Sequence, residues 1–214
     1  MRAPSHLSDL SLTEWAVLAL VREKSTHGFA IAKEFAPDGD LGQIWTVRRP
    51  IVYRSLGRLE TLGLVRALAS EPGDRGPVRT RFQVTNTGRR WVDRWLRTPA
   101  EHVRDLRTRL LLQFRFLDRR GMDIVPLARA QLECLHPILA SLRRQAETTT
   151  GFVGLLARWR YESAEVAVRV LEGIVAGSAA ESEFAANMEQ GYLIAVAATL
   201  KAMRELAQDN ALSA

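Results

Sequence analysis

The segment TVRRPIVYRSLGRLETLGLVR, residues 46–66, decides how the first half of the chain folds. Pro50 suits the first turn of a helix and Gly63 suits the position just after its end. At 100° per residue, Val52, Leu56 and Leu59 form one apolar stripe. The other faces and the approach to the helix carry basic, polar or small residues: Arg48, Arg49, Tyr53, Arg54, Gly57, Arg58 and Thr61. The segment therefore predicts an amphipathic helix with an arginine-rich outer face.

Two helices are predicted ahead of this segment. Ser11 and Glu14 form a capping box immediately before an apolar run, which marks the start of the first helix. A second, short helix is predicted over residues 28–35, with Phe29 and Ile31 facing inward and a proline two residues after its end. Together with the helix after Pro50, this gives three consecutive helices.

A wing is predicted after the third helix. Residues 64–69 (LVRALA) and 78–84 (VRTRFQV) are short β-favouring runs, and SEPGDRGP between them has the composition of a hairpin tip. The tip carries Arg75, and the second arm carries Arg79 and Arg81. Three helices followed by a two-stranded wing predict a winged helix-turn-helix.

The remainder reads as helices only, so the fold class is mainly α. Helices are expected to end at Gly121, to run over residues 123–147 with a kink or break at Pro137, and to run from about residue 152 to 175. We predict three parts: a winged helix-turn-helix over 1–97, a helical dimerisation domain over 98–176, and a further helical segment of unknown role over 177–214.

Charge separates the two halves of the chain. Residues 1–97 carry 16 basic and 10 acidic side chains, whereas residues 98–214 carry 14 of each. A basic first half joined to a balanced second half is typical of a protein that meets a polyanion at one end. Arg54, Arg58 and Tyr53 would then contact base edges in a major groove, and Arg48, Arg49 and the wing arginines would contact phosphates. The alternative is a solvated arginine face on a winged helix that binds only proteins.

Four segments resemble the successive signatures of PadR-like transcriptional regulators: LSLTEWAVLALV, STHGFAIAKEF, VYRSLGRLETLGLV and TRFQVTNTGRR. The third is the most specific, and its matching positions are Val52, Tyr53, Leu56, Leu59, Glu60, Gly63 and Leu64. Thr85 and Gly88 match the exit from the wing. The stretches VRDLRTRLLLQF and WRYESAEVAVRVLEG are similar to the C-terminal half of one subgroup, so the resemblance covers roughly residues 8–175.

This resemblance implies a homodimer that binds double-stranded DNA at an inverted-repeat operator, as a repressor or in some members an activator, with C-terminal helices forming most of the dimer contact. Several members of the family sense planar or aromatic small molecules. Trp91, Trp95 and Trp159 are the residues that would stack on such an effector. The alternative is that Trp91 and Trp95, four residues apart on one helical face, pack in the core.

Other function classes find little support in the sequence. The nucleotide-binding and nucleophile motifs are missing, and the four histidines are scattered, with His27 predicted to start a helix, so no enzyme, cofactor or metal site is expected. Glu133 and His136 form a single Glu-x-x-His, and a di-iron bundle enzyme would need a second copy. The longest apolar runs are too short to span a membrane, which predicts a soluble, cytoplasmic protein. Cys134 lies among leucines and is predicted to be buried.

Overall fold

The computed structural model describes residues 10–68, 71–73 and 76–177, with only the backbone for residues 71–73 and 76–79. The described chain divides into two compact units. The first contains the residues through Thr98 together with Arg107–Ile124, and the second contains Pro99–Leu106 and the residues from Val125 onward. The predicted boundaries at residues 97 and 176 stay predictions, and the segment beyond Gly177 lies outside the described residues.

The first unit begins with three helices and a small sheet. Helix α1 spans Leu12–Glu23, strand β1 Thr26–His27, helix α2 Gly28–Glu34, a 3-10 turn Leu41–Gln43 and helix α3 Arg49–Thr61. The wing follows as β2 (Val65–Ala67), β3 (Glu71–Gly73), β4 (Gly76–Arg79) and β5 (Arg81–Val84), and helix α4 spans Asn86–Trp95. A later segment of this unit contains the end of a π-helical turn, Leu106–Leu110, and helix α6, Leu111–Arg119.

The wing is an antiparallel hairpin in two paired sections. Near its base β2 pairs with β5, with Val65 opposite Val84, and farther out β3 pairs with β4. Strand β1 adds to the free edge of β5, giving the sheet order β1-β5-β2. The predicted winged helix-turn-helix is therefore confirmed, whereas β1, only two residues long, gave no sequence signal.

The second unit consists of helices. Helix α5 spans Val103–Asp105, α7 Val125–Thr148 and α8 Gly151–Ala176, and α7 and α8 pack along each other. Helix α7 continues through Pro137 and does not break there. Gln131 is completely buried and holds Ala100: its Oε1 accepts from the Ala100 N–H at 2.7 Å, and its Nε2 donates to the Ala100 carbonyl at 2.9 Å.

Two expectations about burial are wrong. Phe29, predicted to face inward on α2, is 48% exposed, because Ile31, about 200° farther round the helix, takes the buried position at 1%. Cys134, predicted to be buried, is exposed. It directly precedes Leu135 and follows Leu132 by two residues on α7, which turns it away from the buried stripe that those leucines form.

Local caps explain why the helices begin and end where they do. Ser11 and Glu14 make the predicted capping box: the Ser11 N–H donates to Glu14 Oε2 at 2.7 Å, and the Glu14 N–H donates to Ser11 Oγ at 3.3 Å. Gly63 adopts φ +68°, the left-handed conformation that ends α3. His27 caps α2, with its Nδ1 accepting from the Ala30 N–H at 3.1 Å, which confirms the helix-start role expected for it.

Candidate nucleic-acid interface

Helix α3 buries one face in the first unit and leaves the other open. Val52, Ser55, Leu56 and Leu59 are buried, whereas Arg54, Gly57, Arg58 and Thr61 are exposed, as the sequence predicts. A Cβ added at Gly57 would meet no atom within 4 Å. Helix α3 therefore has an open strip along its outer face, flanked by two arginines one turn apart.

The two arginines of this strip differ in their surroundings. Arg58 Nη1 lies 3.1 and 3.3 Å from the two carboxylate oxygens of Glu14, which is 5% exposed, while the Arg58 side chain remains 52% exposed. Arg54 is exposed and makes no ion pair with a described residue. Arg58 is thus anchored to α1 while about half of its side chain faces solvent. The sequence gives no sign of this pairing, because Glu14 already has a role in the cap.

The beginnings of α2 and α3 meet on the same surface. A Cβ on Gly28 would lie 2.7 Å from Tyr53 Cε1, so the glycine makes room for the Tyr53 ring against α2. Arg49 lies between two rings, with its Cζ 5.1 Å from the Phe29 centroid and 5.6 Å from the Tyr53 centroid. Arg48 and Arg49 are both exposed, and Tyr53 is 44% exposed. The structure thus brings Arg48, Arg49, Tyr53 and Arg54 together on the first turns of α3.

The wing residues are only partly described. Arg81 begins β5 and is exposed. Arg79 ends β4, and its side chain lies outside the described part, as does the whole of Arg75. At the wing base, Arg66 Nη2 donates to Gln83 Oε1 at 2.6 Å across the β2–β5 pair.

The wing is tied to the end of α3 by Thr85 and Gly88. Thr85 Oγ1 donates to the Gly63 carbonyl at 2.9 Å and accepts from the Gly88 N–H at 3.1 Å, capping α4. A Cβ on Gly88 would lie 2.2 Å from the Leu64 carbonyl oxygen, so only glycine permits this approach. These contacts set the position of the wing relative to α3.

Two arginines of α6 connect several elements of the first unit through hydrogen bonds to acidic side chains. Arg119 donates to Glu23, Glu34 and Asp40 at 2.8, 2.8 and 2.9 Å. Arg115 donates to Asp40 at 3.0 Å. Burial raises the pKa of Glu23 above its ordinary value, against the opposing effect of Arg119. The hydrogen bond from Arg115 lowers the pKa of Asp40. One residue of α6 therefore bonds to the end of α1, the end of α2 and the loop that leads to α3.

The tryptophans proposed for an effector divide between the two units. Trp15 of α1 stacks on Trp95 at a centroid distance of 5.5 Å and on Trp91 at 5.9 Å, and Trp95 meets the edge of Phe116. Trp95 is 1% exposed, whereas Trp159 belongs to the second unit and is 46% exposed. Trp95 therefore belongs to the core of the first unit, and the half-buried Trp91 packs against the same Trp15 ring. An effector role for the three tryptophans stays a prediction.

A known protein family resembles the first part of this chain. Residues 17–94, from within α1 to near the end of α4, match the model of the transcriptional regulator PadR-like family. This segment is similar to the PadR-like family of transcriptional regulators. The Val52–Leu64 signature lies on α3 and its cap, and Thr85 and Gly88 of the PadR-like segment join the wing to α4.

Three solved structures are similar to the chain. Bacillus subtilis PadR, in complex with operator DNA, has 20% identity and a TM-score of 0.41 over 78% of this chain and 98% of its own. A Streptococcus mutans protein has 15% identity and a TM-score of 0.37, covering 76% of this chain and 98% of its own. A PadR-like transcriptional regulator from Bacillus cereus has 19% identity and a TM-score of 0.35, covering 85% and 98%. No curated protein matches the chain.

The described residues hold neither a metal-binding cluster nor a membrane-spanning helix. Within the described ranges, no group of three His, Cys, Asp or Glu side chains is arranged to hold a metal ion. No helix of the described part of the chain is long and apolar enough to cross a membrane.

Proposed function

We propose that the protein is a sequence-specific DNA-binding transcription regulator that acts as a homodimer on an inverted-repeat operator, as a repressor. The observation that carries this proposal is the open outer strip of α3, where Arg54 and Arg58 flank the bare backbone at Gly57. An α-helix fits the major groove, and arginine to guanine is the commonest specific contact there. The family match of residues 17–94 supports the same function.

The residues would divide into two roles. Arg54, Arg58 and Tyr53 are proposed to contact base edges, and Arg48, Arg49 and the wing arginines Arg75, Arg79 and Arg81 to contact phosphates. Base contacts specify the sequence, whereas phosphate contacts position the protein on any sequence. Two protomers would present their α3 helices to major-groove faces one helical turn, or a multiple of it, apart.

The second unit supports the proposed dimer with an apolar surface. On the first turns of α8, Phe152 is 74% exposed, Val153 64% and Trp159 46%. Exposed apolar groups that recur along one helix are typical of association sites. Sedimentation of the full chain tests the dimer. Release from the operator by a small aromatic effector that stacks on Trp91, Trp95 or Trp159 is also part of the proposal, and titration of tryptophan fluorescence with small aromatic acids, with Trp159→Phe as control, tests whether such a ligand binds.

The deciding experiment is selection of bound duplexes from a random double-stranded DNA library, followed by a salt titration of the recovered sequence and a scrambled one. If the dimer neutralises about eight phosphates, the slope of log K against log salt is about −7. Recovery of an inverted repeat with such a slope supports the proposal. A folded protein that retards no DNA at physiological salt would refute it and favour a winged-helix protein-interaction module instead.

Substitutions separate the two roles. Arg54→Ala is expected to relax the sequence preference at a cost of about 1–3 kcal/mol per site without loss of stability, because Arg54 has no ion pair with a described residue. Arg58→Ala is expected to relax the preference and also to destabilise the fold, because Glu14 loses its cation. Arg75→Ala is expected to weaken binding to all sequences alike. A change of sequence preference with Arg75→Ala would contradict this division of roles.

A further inference from the structure

The surface where α2 and α3 begin carries a group of exposed side chains that the core does not require. Phe29, Arg49 and Tyr53 form it, and we call it the aromatic clamp. The guanidinium of Arg49 lies 5.1 Å from the centroid of Phe29 and 5.6 Å from that of Tyr53, within the range of a cation–π contact. Its Nη2 also lies 3.5 Å from the Tyr53 hydroxyl.

Packing of the fold does not account for the two rings. Phe29 is 48% exposed and Tyr53 44%, so each leaves close to half of its surface in solvent. A phenylalanine on a short amphipathic helix is usually buried, and Ile31 already fills the inward position of α2 at 1% exposure. Gly28 permits the Tyr53 ring to lie beside α2, at the position where a Cβ would come within 2.7 Å of it. The backbone of α2 therefore accommodates a ring that remains exposed.

The clamp differs electrostatically from the ion pair on the same helix. Arg58 lies against the carboxylate of Glu14, and that carboxylate offsets its charge. Arg49 lies against two neutral rings, which attract the cation through their quadrupoles, and it makes no ion pair with a described residue. A ring face attracts the cation without accepting its N–H donors in hydrogen bonds, so most of the five donors of a guanidinium held in this way stay available to an anion. A bidentate pair with phosphate uses those edge donors.

We propose that Phe29 and Tyr53 are positioning residues that hold Arg49 pre-oriented to bind a backbone phosphate of DNA. This inference rests on the proposed DNA-binding function; it assigns a role within it to Phe29, and a second role to Tyr53 beside its proposed contact with base edges. Arginine loses rotamer freedom when it binds, and a side chain already held between two rings loses less. Arg48 provides the comparison, because it is also exposed and makes no cation–π contact with a ring of a described residue.

The test uses the full chain and two probes: the duplex recovered from the random library and a scrambled duplex of the same length. Phe29→Leu keeps an apolar side chain and removes the ring, and it is expected to lower affinity about two- to fivefold for both duplexes. Its salt slope stays that of the unmodified protein, because no charge is removed. Arg49→Ala lowers affinity for both duplexes and reduces the slope by about 0.9 for each phosphate that is no longer neutralised. Phe29→Tyr, which retains the ring, restores the affinity.

A double-mutant cycle distinguishes clamping from a separate contact of Phe29 with DNA. In an Arg49→Ala background, Phe29→Leu is expected to have no further effect, whereas in an Arg48→Ala background it keeps its two- to fivefold effect. Equal effects in both backgrounds, or a loss of affinity confined to the selected duplex, overturn the clamp and leave DNA binding itself standing. Absence of binding by the unmodified protein to any duplex overturns the proposed function and the clamp together. Circular dichroism and thermal unfolding confirm that each variant is folded.

Discussion

Arg119→Met is expected to destabilise the first unit strongly, because one guanidinium bonds to three carboxylates from different elements. The side chain of Arg119 is 19% exposed, and those of Glu23, Glu34 and Asp40 are 16%, 30% and 33% exposed. Removing one partner of a buried pair costs about 3–5 kcal/mol, whereas an exposed pair contributes about 0–1 kcal/mol. Since two of the three acids are about a third exposed, we expect a loss of about 2–3 kcal/mol in the free energy of unfolding at pH 7. Methionine retains the apolar stem, so the loss reports on the charge.

The same variant should recover stability when the pH falls. Burial already raises the pKa of Glu23 in the folded protein, and Arg119 opposes that rise. Without the arginine the pKa of Glu23 rises further. When the pKa of a carboxyl group is higher in the folded than in the unfolded protein, the free energy of unfolding falls as the pH rises through the folded pKa. It increases again as the pH is lowered. The difference in free energy of unfolding between Arg119→Met and the unmodified protein should therefore decrease by on the order of 1 kcal/mol when the pH is lowered from 7 to about 5.

Urea unfolding of the full chain, followed by tryptophan fluorescence, measures both effects. Of the five tryptophans only Trp159 lies outside the first unit, so the signal reports mainly on that unit. The m-value should stay unchanged while the midpoint falls. Arg143→Met is the control, because its pair with Glu147 lies on the surface, and its midpoint should match that of the unmodified protein. A loss below about 1 kcal/mol for Arg119→Met, or an equal loss at both pH values, would refute the reasoning.

Three further substitutions test the packing by urea unfolding, the first two followed by tryptophan fluorescence and the third by circular dichroism. Gly57→Ala should stabilise the protein by about 0.5–1 kcal/mol, since a Cβ there meets nothing within 4 Å; destabilisation would show that α3 is not open at this point. Gly88→Ala should destabilise the protein by more than about 2 kcal/mol, because its Cβ would lie 2.2 Å from the Leu64 carbonyl oxygen. An unchanged free energy of unfolding would mean that the backbone at Leu64 shifts to accommodate the methyl group. Gln131→Leu should cost about 2–4 kcal/mol by leaving the buried backbone of Ala100 without its two bonds. Both residues belong to the second unit, so circular dichroism, which reports on the long helices α7 and α8, follows this variant, and an unchanged midpoint would contradict the expectation.

Much of the proposed interface follows from features that are local in the sequence. The capping box of Ser11 and Glu14 and the left-handed Gly63 depend on atoms within a few residues. The buried and open faces of α3 follow from helical periodicity alone, which is why the sequence predicts the stripe of Val52, Leu56 and Leu59 correctly. Family resemblance in the same stretch adds the position of the wing exit.

The sequence does not predict the roles of residues whose partners lie far away along the chain. The sequence places Phe29 in the core, yet it lies on the surface, because the packing of Ile31 decides which face of the short helix α2 turns inward. The sequence predicts that Arg58 lies in a groove and that Glu14 caps α1. It does not predict that these two residues, 44 positions apart, form an ion pair. No periodicity relates such residues, so the sequence shows neither role.

The sequence by itself determined the order of the first three helices and the wing, the helix ends at Ser11 and Gly63, and the arginine-rich face of α3, because hydrogen bonds within a turn and side-chain periodicity act over only a few residues. Only the tertiary structure decided which arginines of that face are anchored and which remain open. It also joined Arg119 to Glu23, Glu34 and Asp40 across 79 to 96 positions of the chain. Contacts of that separation form only when several packed elements bring the groups together.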